Sequence, residues 1–149
     1  MKLELVNPAS GEKFRELPYH SLNEAKPIVV SAGKIQKEWK ESSIDNRIAV
    51  VQNVIDYFKI KADIIAKDIT LQMGKPISQS KNEVNATIHR ADVCCKLAED
   101  ALQNITLPNI DKLQRFIKRE PLGIILDIAA WNSPLLIAVN VVVPAILAG

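Results

Sequence analysis

The stretch that most constrains this chain is Leu122 to Gly149, apolar almost throughout and broken once, by Trp131-Asn132-Ser133-Pro134. Leu122 to Ile128 is aliphatic and β-branched, interrupted only by Gly123 and Asp127, a composition that suits a strand covered on both faces. Ser133 is a good N-cap, and Pro134 falls at the first helical position, where its missing N–H costs nothing. From Leu135 to Leu147 the residues are apolar on nearly every side, so that helix must be buried. Strand, short loop and helix make the first half of a βαβ unit, and open α/β sheets bind ligands beyond the carboxyl ends of their strands. Asn132 stands at that position and is the leading candidate for a functional side chain.

A membrane span is the competing reading of the same run. It would need about 20 mainly apolar residues. Trp-Asn-Ser-Pro instead divides the window into a strand of about seven residues and a helix of about thirteen. The predicted fold class is therefore α/β, with a helical amino-terminal half followed by the first strand-loop-helix of a parallel, Rossmann-like sheet that these residues leave incomplete. Such a strand needs parallel neighbours and helices on both faces, so the sequence reads as a truncated product or one partner of a split protein.

Charge partitions along the chain. Of 149 residues, 19 are Lys or Arg and all of these precede Pro121, while residues 121–149 carry a single charge, Asp127. With a net charge of +2 and only two Trp, two Tyr and three Phe, there is no basic stripe with interleaved aromatics, which argues against nucleic acid as a partner. Cys94 and Cys95 are adjacent and imply no disulfide framework, and His20 and His89 do not complete a zinc site. Free thiols and an amino terminus too short and polar for a secretory signal point to a cytoplasmic setting.

Upstream, residues 1–20 read as extended with turns at Asn7-Pro8 and Ser10-Gly11, Lys2 to Leu5 alternating as in an edge strand. Residues 21–105 read as helical. Ser21 and Glu24 form a capping box opening a first helix, with Leu22, Ala25, Ile28, Val29, Ala32, Ile35 and Trp39 on one side and a kink or later start expected at Pro27. A second helix opens at Ser43 with the stripe Ile44, Ile48, Val51, Ile55 and Phe58. A third runs from Ala62 to Met73, burying Ile64, Ile65, Ile69 and Met73, and stops at Gly74 before Pro76. The fourth, from Ser78 to Asn104, carries the seam Val84, Ile88, Ala91, Cys95, Ala98, Leu102 and Ile105, expected to pack on neighbouring helices rather than in a coiled-coil dimer. Glu83 reads as a carboxylate on that helix's surface. Thr106 to Asp111 reads as a turn-rich crossing, and residues 112–120 as a short helix, an exposed strand or a solvated connector.

Several of these segments carry a resemblance. Pro121-Leu122-Gly123 with its apolar strand, Trp131-Asn132, Pro134 and a helix ending Pro144-Ala-Ile-Leu-Ala-Gly149 is similar to the aldehyde dehydrogenase superfamily. Asn7-Pro8-Ala-Ser-Gly11-Glu12, Trp39, Arg47, Met73-Gly74-Lys75-Pro76 and Glu83-Val84 support it. The resemblance covers almost all of this sequence but only the amino-terminal third or so of a typical member, making residues 1–149 the amino-terminal portion of a cofactor-binding domain. It implies an early hairpin over residues 1–20, an oligomerisation strand within 112–120, and oxidation of a small-molecule aldehyde to an acid with NAD or NADP. In that reaction a cysteine thiolate attacks the carbonyl, hydride leaves to the cofactor, and a glutamate activates the releasing water.

By resemblance, Asn132 supplies the amide that stabilises the oxyanion, and the Ile128-Ala129-Ala130-Trp131 backbone lies along the nicotinamide. As a residue before Ser-Pro, Asn132 also reads as a simple turn former. Ala130 stands where the family usually has proline, and Ser133 where an aromatic is common; both loosen the setting of Asn132. The family's nucleophile, general base and cofactor-supporting glycine motif come later than Trp-Asn, so the isolated 149 residues are predicted inactive and unable to bind the cofactor alone. Cys94, Cys95 and Glu83 are not substitutes. A non-catalytic module pairing with a full-length or complementary chain is the alternative, and a homo-oligomer is the family's habit.

Overall fold

The computed structural model describes residues 2–149; Met1, the first residue of the extended segment, lies outside them. Two strands, β1 (Lys2–Val6) and β2 (Lys13–Pro18), pair antiparallel across the Asn7–Gly11 turn, with Leu3 opposite Leu17 and an irregularity at Leu5/Val6. Gly11 takes φ +73 there, a region costly for residues with a Cβ. Four helices follow: α1 (Leu22–Trp39), α2 (Ile44–Ile60), α3 (Ala62–Met73) and α4 (Ile77–Leu102). A second antiparallel hairpin, β3 (Ile105–Ile110) with β4 (Leu113–Ile117), precedes a long irregular segment and α5 (Pro134–Ala148).

The core is helical. Val51 and Ile55 of α2, Ala91, Cys95 and Ala98 of α4, and Val139, Val143 and Leu147 of α5 form one cluster; Ala66 and Ile69 of α3 pack with Val84 of α4 in a second. The α2 stripe and the α4 seam from Val84 to Leu102 thus face the core at the three-and-four spacing their sequences show, whereas Ile105, expected to end that seam, lies beyond the helix as the exposed first residue of β3. Gly74 ends α3 at φ +73, and a Cβ there would meet Pro8 Cγ at 2.9 Å.

Several expectations change. α1 starts at Leu22 and runs through Pro27 rather than starting later. The carbonyl that loses its Pro27 partner is that of Asn23, an exposed residue that water can reach. The apolar side of α1 is not buried: Leu22, Ile28, Val29 and Ile35 are exposed, since only its carboxyl end is tied to the rest. Ile64 is exposed as well, because α3 buries only the face turned to α4. The supposed crossing at 106–111 is strand β3, its chain reversing at Asp111 with φ +54. Of the readings for 112–120, the strand is the one observed, and it is exposed throughout.

Leu122 to Ile128 forms no ladder. A strand exists through pairing, and no described strand pairs with this one. Leu122 is 93% exposed, and Leu126 and Ile128 nearly as much. The structure is thus a mixed helix-and-strand fold with two small antiparallel sheets; no parallel sheet forms among the described residues. Nor is any described helix long and apolar enough to cross a membrane.

Candidate functional site

Trp131, Asn132 and Ser133 form a bend leading into α5. Pro134 occupies the first helical turn as its fixed φ favours. Ser133 holds the N-cap position at φ −147 and ψ 69 but makes no side-chain capping bond. The cap comes from elsewhere. Glu83 Oε1 accepts from the backbone N–H of Leu135 at 3.1 Å and of Leu136 at 3.3 Å. Glu83 Oε2 pairs with Lys75, whose Nζ also lies 3.4 Å from Ser133 Oγ. Far from lying on the surface of its helix, the Glu83 side chain is only 3% exposed. The signal was present in the sequence: Ser80, Glu83 and Thr87 continue the buried spacing of α4 as polar residues. Each is satisfied, Ser80 by the Thr70 hydroxyl at 2.9 Å and the Thr87 hydroxyl by the Glu83 carbonyl at 2.8 Å.

The other end of α5 is held by donors. Arg47 Nη1 reaches the Leu147 carbonyl at 3.0 Å, Trp39 Nε1 the Ile146 carbonyl at 2.9 Å, and Gln36 Nε2 the Gly149 carbonyl at 2.9 Å. Arg47 also binds the Lys40 and Ser42 carbonyls, so the α1–α2 corner and α5 share one guanidinium. Gly149, at φ +106, leaves room that a Cβ would lose to Pro121 Cγ at 2.9 Å and Arg47 Nη1 at 3.1 Å.

Two clefts flank the bend and the segment before it. One, of about 430 Å³, lies between β1, α3 and the start of α5, lined by Leu5, Ile69, Met73, Trp131, Pro134 and Leu135 among others. Trp131 borders this cleft but is 84% exposed overall. Asn132 is exposed and does not line it. The other, about 390 Å³ and mostly apolar apart from Gln36 and Asp127, runs between α1, residues 123–127 and α5. Ile128 and Ala129 are exposed and Ala130 is half-buried.

The cysteines lie on α4, away from the bend in sequence; Cys94 is half-buried and Cys95 buried in the helical core. Burial, reinforced by Asp92, pushes the Cys95 thiol up, the opposite of what a nucleophile needs. Among the described residues no three His, Cys, Asp or Glu side chains gather as a metal site.

A model of the aldehyde dehydrogenase family matches residues 1–149. The sequence is 32% identical over 146 residues to the succinate semialdehyde dehydrogenase [NAD(P)+] Sad of Escherichia coli, covering 97% of this chain and 31% of that protein. It is 30% identical over 147 residues to a lactaldehyde dehydrogenase of Methanocaldococcus jannaschii, covering 99% and 31%. Among solved structures, glyceraldehyde-3-phosphate dehydrogenase GapN of M. jannaschii complexed with NADP superimposes with a TM-score of 0.92 at 29% identity, over 99% of this chain and 32% of that one. The chain therefore spans about a third of the length of the relatives it matches.

Proposed function

The chain belongs to the aldehyde dehydrogenase family, and on that premise we propose that these residues are the amino-terminal part of an NAD(P)-dependent enzyme oxidising an aldehyde to a carboxylic acid. The observation that carries the reading is the family match over residues 1–149, with the Trp131–Asn132 bend at the mouth of α5 inside it. When a carbonyl carbon becomes tetrahedral its oxygen gains negative charge, and a preorganised amide N–H there lowers the barrier. Asn132 is the donor this chain offers.

Residues 128–131 suit the cofactor's nicotinamide end: an apolar, largely exposed stretch outside any helix or sheet that runs into the bend before α5. When bound, NAD or NADP supplies the hydride acceptor. The amino end of α5 would not hold its phosphates, because Glu83 already occupies those N–H groups. The exposed β3–β4 hairpin is the surface on which subunit contact is proposed.

In the aldehyde-oxidising protein, Asn132→Ala should lower kcat for propanal with NAD or NADP by about 10²–10³-fold. Turnover equal to the parent would sink the reading. The 149 residues alone should show no turnover, since Cys94 and Cys95 are their only thiols and sit on α4. A second reading, a non-catalytic module, is favoured by one observation, the exposure of Leu122, Leu126 and Ile128. A co-purifying chain that buries those residues, with no oxidation by the complex, would select it.

A further inference from the structure

We infer that Glu83, held by Lys75, is a positioning residue: its carboxylate caps α5 from across the fold and thereby sets the Trp131–Asn132 bend. An α-helix leaves its first N–H groups without intrahelical partners. In α5 the residue placed to satisfy them, Ser133, makes no such bond. Glu83 Oε1 takes both the Leu135 and Leu136 amides, and a carboxylate there also opposes the positive end of the helix dipole. With the amides engaged by a group on another helix, the register of α5 and the path of the two residues before Ser133 are fixed relative to α4.

Glu83 is itself well held. Ser80, Val84 and Thr87 around it on α4 are buried. Its other oxygen pairs with Lys75, which follows the left-handed stop of α3 at Gly74 and reaches Ser133 Oγ as well. The end of α3, α4 and the start of α5 therefore converge within four residues of Asn132. Lys75 has a second effect. It neutralises the carboxylate, so negative charge developing near Asn132 does not face an uncompensated anion. The capping stands on the geometry; only the catalytic meaning of Asn132 rests on the aldehyde dehydrogenase reading.

The test is amide hydrogen exchange and ¹H–¹⁵N spectra of the 149-residue chain. In Glu83→Ala the Leu135 and Leu136 amides should exchange about tenfold faster or more, with the Trp131 and Asn132 resonances displaced and those of Val51 and Ile55 in place. Adding Ser133→Asp should restore protection by supplying a local cap, a rescue that a purely space-filling role for Glu83 would not show. Exchange at Leu135 and Leu136 within about twofold of the parent would overturn the inference. So would lost protection that Ser133→Asp does not restore. If Glu83→Ala does not fold, Glu83→Asp, one methylene short of the amides, carries the same comparison with the same two outcomes. Failure of the enzymatic reading would show separately, as Asn132→Ala without effect on turnover, and would leave the exchange result untouched.

Discussion

The amino ends of α1 and α5 both present N–H groups that their own helices cannot satisfy, and they are closed in different ways. At α1, Ser21 Oγ accepts from the Glu24 N–H at 3.3 Å while Glu24 returns a bond to the Ser21 N–H at 2.7 Å, all within four residues. At α5 the acceptor is Glu83, more than fifty residues away in sequence and on another helix. The first arrangement ties α1 only to itself, and α1 contributes no buried residue. The second ties α5 to α4 and α3, and three residues of α5 belong to the main core. A local cap stabilises a helix; a remote cap also fixes where the helix sits. The carboxyl end of α5 repeats the lesson, since Arg47, Trp39 and Gln36 donate to its last carbonyls from α1 and α2.

The comparison can be strained from its strongest point downward. Arg47→Ala removes donors to the carbonyls of Leu147, Lys40 and Ser42 together and should destabilise the chain by about 2–4 kcal/mol. Thermal or urea unfolding measures it, and Arg47→Lys should recover little, because one ammonium cannot span the fork of acceptors. Trp39→Phe, which keeps most of the ring but loses the bond to Ile146, should cost about 1 kcal/mol in the same assay. Next comes a paired measurement at Ser21 and Ser133, the N-cap serines of α1 and α5. Ser21→Ala should cost about 0.5–1 kcal/mol and Ser133→Ala less than about 0.5 kcal/mol, because only Ser21 makes a cap bond. Equal losses would erase the distinction between local and remote capping.

The smallest effect concerns acid. The bond from the Ser21 backbone N–H, and then that with the Ser21 hydroxyl, hold Glu24 below its ordinary 4.5. A carboxylate with a depressed folded-state pKa contributes stability that is present above the unfolded pKa and lost as pH falls through the folded one. Unfolding midpoints followed downward from pH 5 should therefore drop less steeply in Glu24→Gln than in the parent. An identical slope would show that the capping box contributes nothing to acid stability.

Much of the helical part could be read along the chain. The stripe of α2, the seam of α4 as far as Leu102, the Gly74 stop and the Ser21 box are set by residues within a turn or two of one another, and each appears where its pattern places it. α1 shows the limit of that reading. Its apolar spacing is real, yet Leu22, Ile28, Val29 and Ile35 are exposed, because spacing says which residues share a face and not what covers it. The segment 122–128 shows a second limit. Its composition is that of a buried strand, but strand identity depends on a neighbour, and none of the described residues supplies one.

The candidate site divides along the same line. The Trp131-Asn132-Ser133-Pro134 break, the start of a helix at Pro134 and the family resemblance were all contained in the order of the residues, because turn and helix-start chemistry acts over a few bonds. That Glu83 caps α5, that Lys75 joins it to Ser133, and that Arg47 grips the far end of α5 were decided only by the tertiary structure. A charged side chain tens of residues away finds a helix terminus through the packing of α3, α4 and α5, and no local pattern records the direction in which it will point.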